Sequence, residues 1–124
     1  MANERVFDLQ ERLEDFAVMI IRTTDTLPGT PAGRLLADQL LRSGTSPALH
    51  YGEAQGAESK RDFIHKMKVA LKELREAQAA IRIIQKAGLG PDAPTNARVL
   101  KECSELVAIF QTSVNTAERN QGRP

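Results

Sequence analysis

Seven cationic or ionisable side chains recur at helical spacing in the second half of the chain. Successive members are 4, 3, 4, 3, 7 and 4 residues apart, and a helix places residues at such steps along one side. The members are Arg61, His65, Lys68, Lys72, Arg75, Arg82 and Lys86. We call them the basic stripe. A row of this kind could bind successive phosphates of a nucleic acid, with an affinity that falls as salt rises.

An acidic series with similar spacing lies near the N-terminus. We call it the acidic stripe, and its members are Glu4, Asp8, Glu11 and Asp15. Residues 3–25 hold six acids and three bases, a net charge of 3 − 6 = −3, whereas residues 58–87 hold eight bases and four acids, a net charge of 8 − 4 = +4. Pairing of the two stripes, within one chain or between subunits, is therefore the alternative to nucleic-acid binding.

The residues that usually perform catalysis form no constellation. His50 and His65 fall on different predicted helices and lack the Glu-x-x-His spacing of di-iron bundles. Cys103 lies on an apolar helical face, where a thiol behaves as a small hydrophobic group. No glycine-rich loop has phosphate-binding spacing. We therefore predict no enzyme activity, no metal, no cofactor and no small-molecule substrate, and expect both imidazoles to be solvated or hydrogen-bonded.

Composition predicts a small protein of the cytoplasm. The 124 residues suffice for one domain spanning 1–124, and the net charge of +1 creates no global attraction to nucleic acid or membrane. A single cysteine indicates a reducing compartment. The longest apolar run, 16–21, is far too short to cross a membrane, and the N-terminus lacks the apolar core of a signal peptide.

The first half of the chain predicts two helices. The first runs from about Glu4 to Asp25 with Asn3 as its cap, and the second from Pro31 to Gln55 with Thr30 as its cap. The predicted inner positions are Val6, Leu9, Leu13, Phe16, Ile20 and Thr24 on the first helix, and Leu35, Leu36, Gln39, Leu40 and Ser43 on the second. Gly44 and Pro47 predict a kink or short break in the second helix.

The second half predicts two more helices. Ser59 caps a helix that continues to about Ala87, and Thr95 or Asn96 caps the last one. The polar tail 118–124 is expected to fray. Predicted inner positions are Phe63, Met67, Ala70, Leu71, Leu74, Ile81 and Ile84 on the third helix, and Val99, Cys103, Leu106, Phe110 and Val114 on the fourth. Short connections between four long helices predict an all-α, up-down-up-down four-helix bundle.

Four polar residues flank the Gly44–Pro47 joint. Arg42 and Ser43 precede it, and Tyr51 and Glu53 follow it. One interpretation is a structural network that satisfies the backbone groups left unpaired at the joint. The other is a surface for a partner. We predict a structural or interface role and keep both alternatives open.

The same region carries a resemblance to a known family. The pattern comprises Gln39, Leu40, Arg42, Ser43, Gly44, Thr45, Ser46, Tyr51, Glu53, Ala54, Ala57, Glu58, Ser59, Lys60, Asp62, Phe63, Ile64, Ala70, Leu71, Lys72, Glu73 and Leu74, together with the N-terminal Phe7-Asp8-Leu9 and Glu11-Arg12 and the Leu27-Pro28 helix end. It resembles the bacterial four-helix-bundle family related to the 23S rRNA intervening-sequence proteins. The chain departs from that family at His50, where an asparagine is usual, and at Ala80, where a large aromatic residue is frequent.

The resemblance implies a four-helix bundle without an assigned reaction. It also implies cyclic homo-oligomers, reportedly pentamers, and a related branch that serves as an accessory protein of retroelement reverse transcriptases. Three functions remain: an oligomeric scaffold, a nucleic-acid-binding module and an enzyme. We predict a cytoplasmic, non-catalytic, homo-oligomeric protein that binds RNA or a nucleoprotein through the basic stripe. The alternative is a protein–protein adaptor whose stripe forms salt bridges between helices or subunits.

Overall fold

Four helices make up the part of the chain that the computed structural model describes, residues 8–121. They are α1 (Leu9–Asp25), α2 (Pro31–Gln55), α3 (Lys60–Lys86) and α4 (Ala93–Gln121). No strand occurs within this range. The prediction of an all-α, four-helix protein is therefore confirmed.

Helix α1 begins later than its sequence predicts. Asp8 adopts a non-helical backbone conformation, and its side chain accepts a hydrogen bond from the backbone N–H of Glu11 at 3.0 Å. An aspartate in this position satisfies a free N–H group and stabilises the helix N-terminus. The predicted start at Glu4 is wrong, and the predicted cap Asn3 and inner residue Val6 lie outside the described residues.

Helix α2 runs without interruption through Gly44 and Pro47. Its cap is the predicted one, since the Thr30 hydroxyl accepts from the backbone N–H of Gly33 at 3.1 Å. The predicted short break is wrong, because both residues of the joint are buried against the rest of the protein. Packing holds the helix together despite the hydrogen bond that Pro47 cannot donate. A bend at this level remains a prediction.

Helix α3 begins as predicted, because the Ser59 hydroxyl accepts from the backbone N–H of Asp62 at 3.0 Å. Helix α4 does not. Its cap is Asp92, whose carboxylate accepts from the backbone N–H of Thr95 at 2.8 Å. The predicted cap Asn96 is instead a buried helical residue. Residues 118–121 are helical, residues 122–124 lie outside the described range, and the fraying of 118–124 stays a prediction.

The core consists mainly of aliphatic side chains from all four helices. Most predicted inner positions are buried, including the whole predicted set on α4. On α1 the buried threonine is Thr23 rather than Thr24. On α2 the predicted inner residues Leu35 and Gln39 are exposed, and burial shifts to Gly44 and Ala48. At Gly44 the absence of a side chain permits a close approach of α2 to α1.

The contacts between helices define which pairs are neighbours. Helix α2 packs between α1 and α3, and α4 packs mainly on α3 and only slightly on α1. Within the described residues α1 makes no backbone contact with α3, so these two helices lie diagonally across the bundle. This diagonal arrangement determines what the two charged stripes can reach.

Candidate nucleic-acid interface

The basic stripe lies along the surface of α3. All seven of its side chains are exposed, and the core residues of α3 lie on the opposite side of the helix. The rise of an α-helix is about 1.5 Å per residue, so the 25 steps from Arg61 to Lys86 extend over roughly 38 Å.

Only part of the stripe is engaged by neighbouring side chains. The Lys68 ammonium forms an ion pair with Glu118 of α4, with an N–O distance of 2.6 Å. The Arg75 guanidinium donates to the amide oxygen of Gln111, also on α4, and a neutral amide leaves its charge uncompensated. Within residues 8–121, Arg61, Lys72, Arg82 and Lys86 have no ion-pair partner. Most of the positive charge on the stripe is therefore available to a ligand.

The described part of the acidic stripe is also exposed, and it lies on a different side of the molecule. Asp8, Glu11 and Asp15 are all exposed along α1, and Glu4 lies outside the described residues. Because α1 and α3 are diagonal, these acids do not pair with the basic stripe of the same chain. Stripe-to-stripe pairing can then occur only between subunits.

His50 makes a contact that the sequence did not indicate. His50 Nδ1 lies 2.7 Å from Glu73 Oε1, which joins α2 to α3. Burial raises the pKa of the Glu73 carboxyl, while the hydrogen bond with His50 opposes that rise. This pair can be predicted only if the alignment of α2 along α3 is known, and the sequence does not show that alignment. His65 is exposed on the stripe, and no cluster of metal-ligating residues occurs among the described residues.

The single cysteine is a core residue. The Cys103 side chain is fully buried, and its thiol donates to the backbone carbonyl of Leu74 at 3.4 Å. Burial raises the pKa of this thiol to about 12. The predicted behaviour of Cys103 as a small hydrophobic group is confirmed, because a protonated thiol without solvent access is a poor nucleophile.

The four residues around the α2 joint do not form one network. Arg42 pairs with Asp38 at 3.1 Å on the exposed face of α2. The Ser43 hydroxyl turns back to the carbonyl of its own helix. Tyr51 packs edge-on against Phe110, with ring centroids 5.9 Å apart.

Glu53, the last member of this set, lies 3.8 Å from Lys66 of α3. It therefore links two helices, as Tyr51 does, whereas Arg42 engages only its own helix. Within the described residues no two of the four bond to each other. Their structural or interface role stays a prediction. They do not fulfil it through hydrogen bonds or ion pairs with one another.

Two further features were not evident from the sequence. The Arg12 guanidinium donates to both carboxylate oxygens of Glu102 at 2.7 Å and to Glu105 at 2.7 Å, and so ties α1 to α4. A groove of about 380 Å³ also opens between α2 and α3 beside Ala79 and Ala80. The sequence signals for the groove are two small side chains: Ala79 interrupts the spacing of the basic stripe, and Ala80 stands where a large aromatic residue is frequent in the family that the chain resembles.

The comparisons with known proteins agree with the fold. The family model described as 23S rRNA-intervening sequence protein matches residues 6–112. The fold is similar to the crystal structure of a protein of unknown function from the S23 ribosomal protein family of Bacteroides thetaiotaomicron VPI-5482, with a TM-score of 0.76. The two sequences are 25% identical. The match covers 86% of this chain and 98% of that protein. No curated protein matches the chain. Within residues 8–121, no helix has the length and hydropathy needed to cross a membrane.

Proposed function

Because the chain belongs to the 23S rRNA-intervening sequence protein family, we propose that it is a non-catalytic, homo-oligomeric scaffold that binds RNA or a nucleoprotein through the basic stripe. The observation that carries this proposal is the exposure of all seven stripe residues on a helix diagonal to the acidic one. Because the net charge of the chain is only +1, attraction to phosphates depends on the separation of these cations from the acids of the same chain. The single buried cysteine is compatible with a reducing cytoplasm as the site of action.

The composition of the stripe favours binding to the phosphate backbone rather than to bases. Sequence-specific RNA recognition relies largely on aromatic platforms that stack unpaired bases. The stripe contains no aromatic residue except the imidazole of His65. Tyr51 and Phe110, which pack against each other, belong to the core side of their helices. The ligand is therefore recognised through charge and shape, with little dependence on its sequence.

Self-association supports this function by repetition. A single chain of 13.6 kDa presents one row of cations, and only a few of them lack an ion-pair partner among the described residues. An assembly would present several parallel rows at fixed separations. Linked binding sites gain affinity because the second contact is intramolecular. An oligomer thus compensates for the weak attraction of each individual stripe.

The experiment compares RNA binding of the wild type with that of Arg82→Glu/Lys86→Glu. Both residues are exposed and free of ion pairs within the described chain, so their reversal should leave the fold intact. Fluorescence anisotropy with labelled single-stranded and duplex RNA should show at least a tenfold loss of affinity. The control Arg22→Glu/Arg34→Glu makes the same charge change on α1 and α2. Equal losses in both variants, or no binding by the wild type, would refute the nucleic-acid function.

A second candidate function follows from the same diagonal arrangement. Two stripes of opposite sign on diagonal helices can pair between copies, which would make the protein an adaptor whose stripe lies within the assembly. If the protein is such an adaptor, Arg82→Glu/Lys86→Glu should lower the oligomer mass in sedimentation equilibrium. The wild type should then show no measurable RNA affinity. A variant with unchanged mass excludes this use of these two cations.

A further inference from the structure

The basic stripe has one gap in its spacing, and an open hollow lies beside that gap. Arg75 and Arg82 are seven residues apart with Ala79 between them, which is about 10.5 Å along the helix axis. The hollow has a volume of about 440 Å³, and Leu71 and Ala79 form its apolar lining. Leu71 is almost fully buried, whereas Ala79 is exposed. The gap therefore opens onto an apolar recess within a cationic surface.

Cations border this hollow along the helix. Lys68, Lys72 and Arg75 line it, and Arg82 follows two turns beyond Arg75. Lys68 is paired with Glu118, whereas Lys72 and Arg82 form no ion pair within residues 8–121. A nucleic-acid strand whose phosphates bind Lys72 and Arg82 would therefore pass directly over the hollow.

Arg75 offers a flat surface at the side of the hollow that faces α4. Its guanidinium donates to the amide oxygen of Gln111, and the Gln111 amide nitrogen donates in turn to Asn115 Oδ1 at 2.9 Å. Guanidinium N–H groups point outward in the plane of the group, so this bond leaves the faces of the exposed Arg75 open. Unstacked RNA bases stack on guanidinium planes as well as on aromatic rings. Arg75, held in place by Gln111, can therefore cover a base that enters the hollow.

Glu76 is an acid that also lines the hollow, although a carboxylate repels phosphates. It lies one turn from Lys72, yet within residues 8–121 it forms neither an ion pair nor a side-chain hydrogen bond. An ionised carboxylate can only accept hydrogen bonds, and every RNA base carries at least one N–H group on its Watson–Crick edge. In a duplex these groups are already paired, so Glu76 can accept only from an unpaired base.

We infer that the hollow receives one unpaired base of an RNA strand, which stacks on Arg75 and donates to Glu76. The phosphates before and after that base bind Lys72 and Arg82. The inference rests on the proposed function and identifies the ligand as single-stranded RNA. Every base has a face for stacking and an N–H group, so this contact has little sequence preference. A duplex keeps its bases in the stack and meets only the cations of the stripe.

The first test fills the hollow without changing any charge. Ala79→Leu alters an exposed position, so circular dichroism and thermal melting should match the wild type. In fluorescence anisotropy, the wild type should bind a single strand at least about fivefold more tightly than an abasic strand of equal length. Ala79→Leu should bind these two strands equally and a duplex as the wild type does. Ala108→Leu, at an exposed position of α4, is the matched control and should behave as the wild type.

The second test separates a base contact of Glu76 from simple repulsion. Loss of an acid from a cationic surface should raise the affinity for a duplex, because repulsion of phosphates is relieved. If Glu76 accepts from an unpaired base, Glu76→Ala should lower the ratio of single-strand to duplex affinity at least about threefold. An equal rise in both affinities would show that the carboxylate only repels phosphates, and would contradict the inference.

The two tests distinguish failure of the hollow from failure of the nucleic-acid function. A wild type that binds no RNA refutes the proposed function and the inference together. Salt-sensitive RNA binding in which Ala79→Leu still prefers the single strand over the abasic strand overturns the inference alone. Loss of that preference in Ala79→Leu, with duplex affinity retained, is the result that the inference predicts.

Discussion

Gly44 of α2 lies directly against Ile20 of α1. A Cβ atom added to Gly44 would lie 2.6 Å from Ile20 Cγ1 and 2.8 Å from Cγ2, closer than carbon atoms can pack. The glycine is therefore required by the approach of the two helices, since its backbone conformation is that of an ordinary helix. Pro47, one turn further along α2, is also buried within the continuous helix.

Substitution of Gly44 by alanine should destabilise the protein even though alanine favours helices. We expect Gly44→Ala to lower the free energy of unfolding by about 1–3 kcal/mol, because Ile20 or the helix must move. Gly52→Ala is the matched control in the same helix. Its added Cβ would meet only the Gln10 side chain, at 3.6 Å, so a gain of about 0.5–1 kcal/mol is expected. Urea unfolding measures both, and stabilisation by both would disprove the close contact.

Removal of Arg12 should loosen the seam between α1 and α4. These two helices pack least closely, and the partly buried Arg12 side chain bonds to Glu102 through two of its nitrogens. Arg12→Ala is expected to cost about 1–2 kcal/mol, since it also leaves Glu102 without its partner. Arg42→Ala removes an ion pair with 70% and 74% exposed side chains and should cost under about 0.5 kcal/mol. Equal losses in thermal unfolding would show that the Arg12 contacts have no special role.

The stability contributed by Glu73 should depend on pH with a defined sign. Burial raises the pKa of this carboxyl in the folded protein, so the folded state favours the protonated form. The associated stability is present below the unfolded pKa and is lost as pH rises through the folded pKa. The stability of the wild type relative to Glu73→Gln should thus decrease from below about pH 4.3 to neutral pH. An increase over that interval would mean that the hydrogen bond with His50 outweighs burial.

The thiol of Cys103 should resist modification until the protein unfolds. Burial raises its pKa to about 12, so almost no thiolate exists in the folded state at neutral pH, and the side chain has no solvent access. A disulfide reagent should react at least about 100-fold more slowly with the native protein than in denaturant. The chain has one cysteine, so the signal reports this site alone. Rapid native reaction would show that the core opens readily.

Local chemistry made much of the fold predictable, and long-range packing accounts for the errors. The caps Thr30 and Ser59 could be identified because a side chain and a nearby N–H suffice. Of the kink or short break predicted at Gly44–Pro47, the break does not form, because Pro47 is buried within a continuous helix, and such burial is not visible in the local sequence. Likewise, the bond between His50 and Glu73 depends on how α2 and α3 align. The spacing of the basic stripe was readable, but its separation from the acidic stripe depends on the diagonal placement of α1 and α3.

The salt dependence of RNA affinity tests the central claim most directly. If the stripe binds phosphates, the logarithm of the association constant should fall linearly with the logarithm of salt concentration. The slope should correspond to about 0.7 released counterions per phosphate contacted on a single strand. Arg82→Glu/Lys86→Glu should reduce the magnitude of that slope by at least about 1.4, the share of two contacts. A wild-type affinity independent of salt, or a slope unchanged in the variant, would contradict the account.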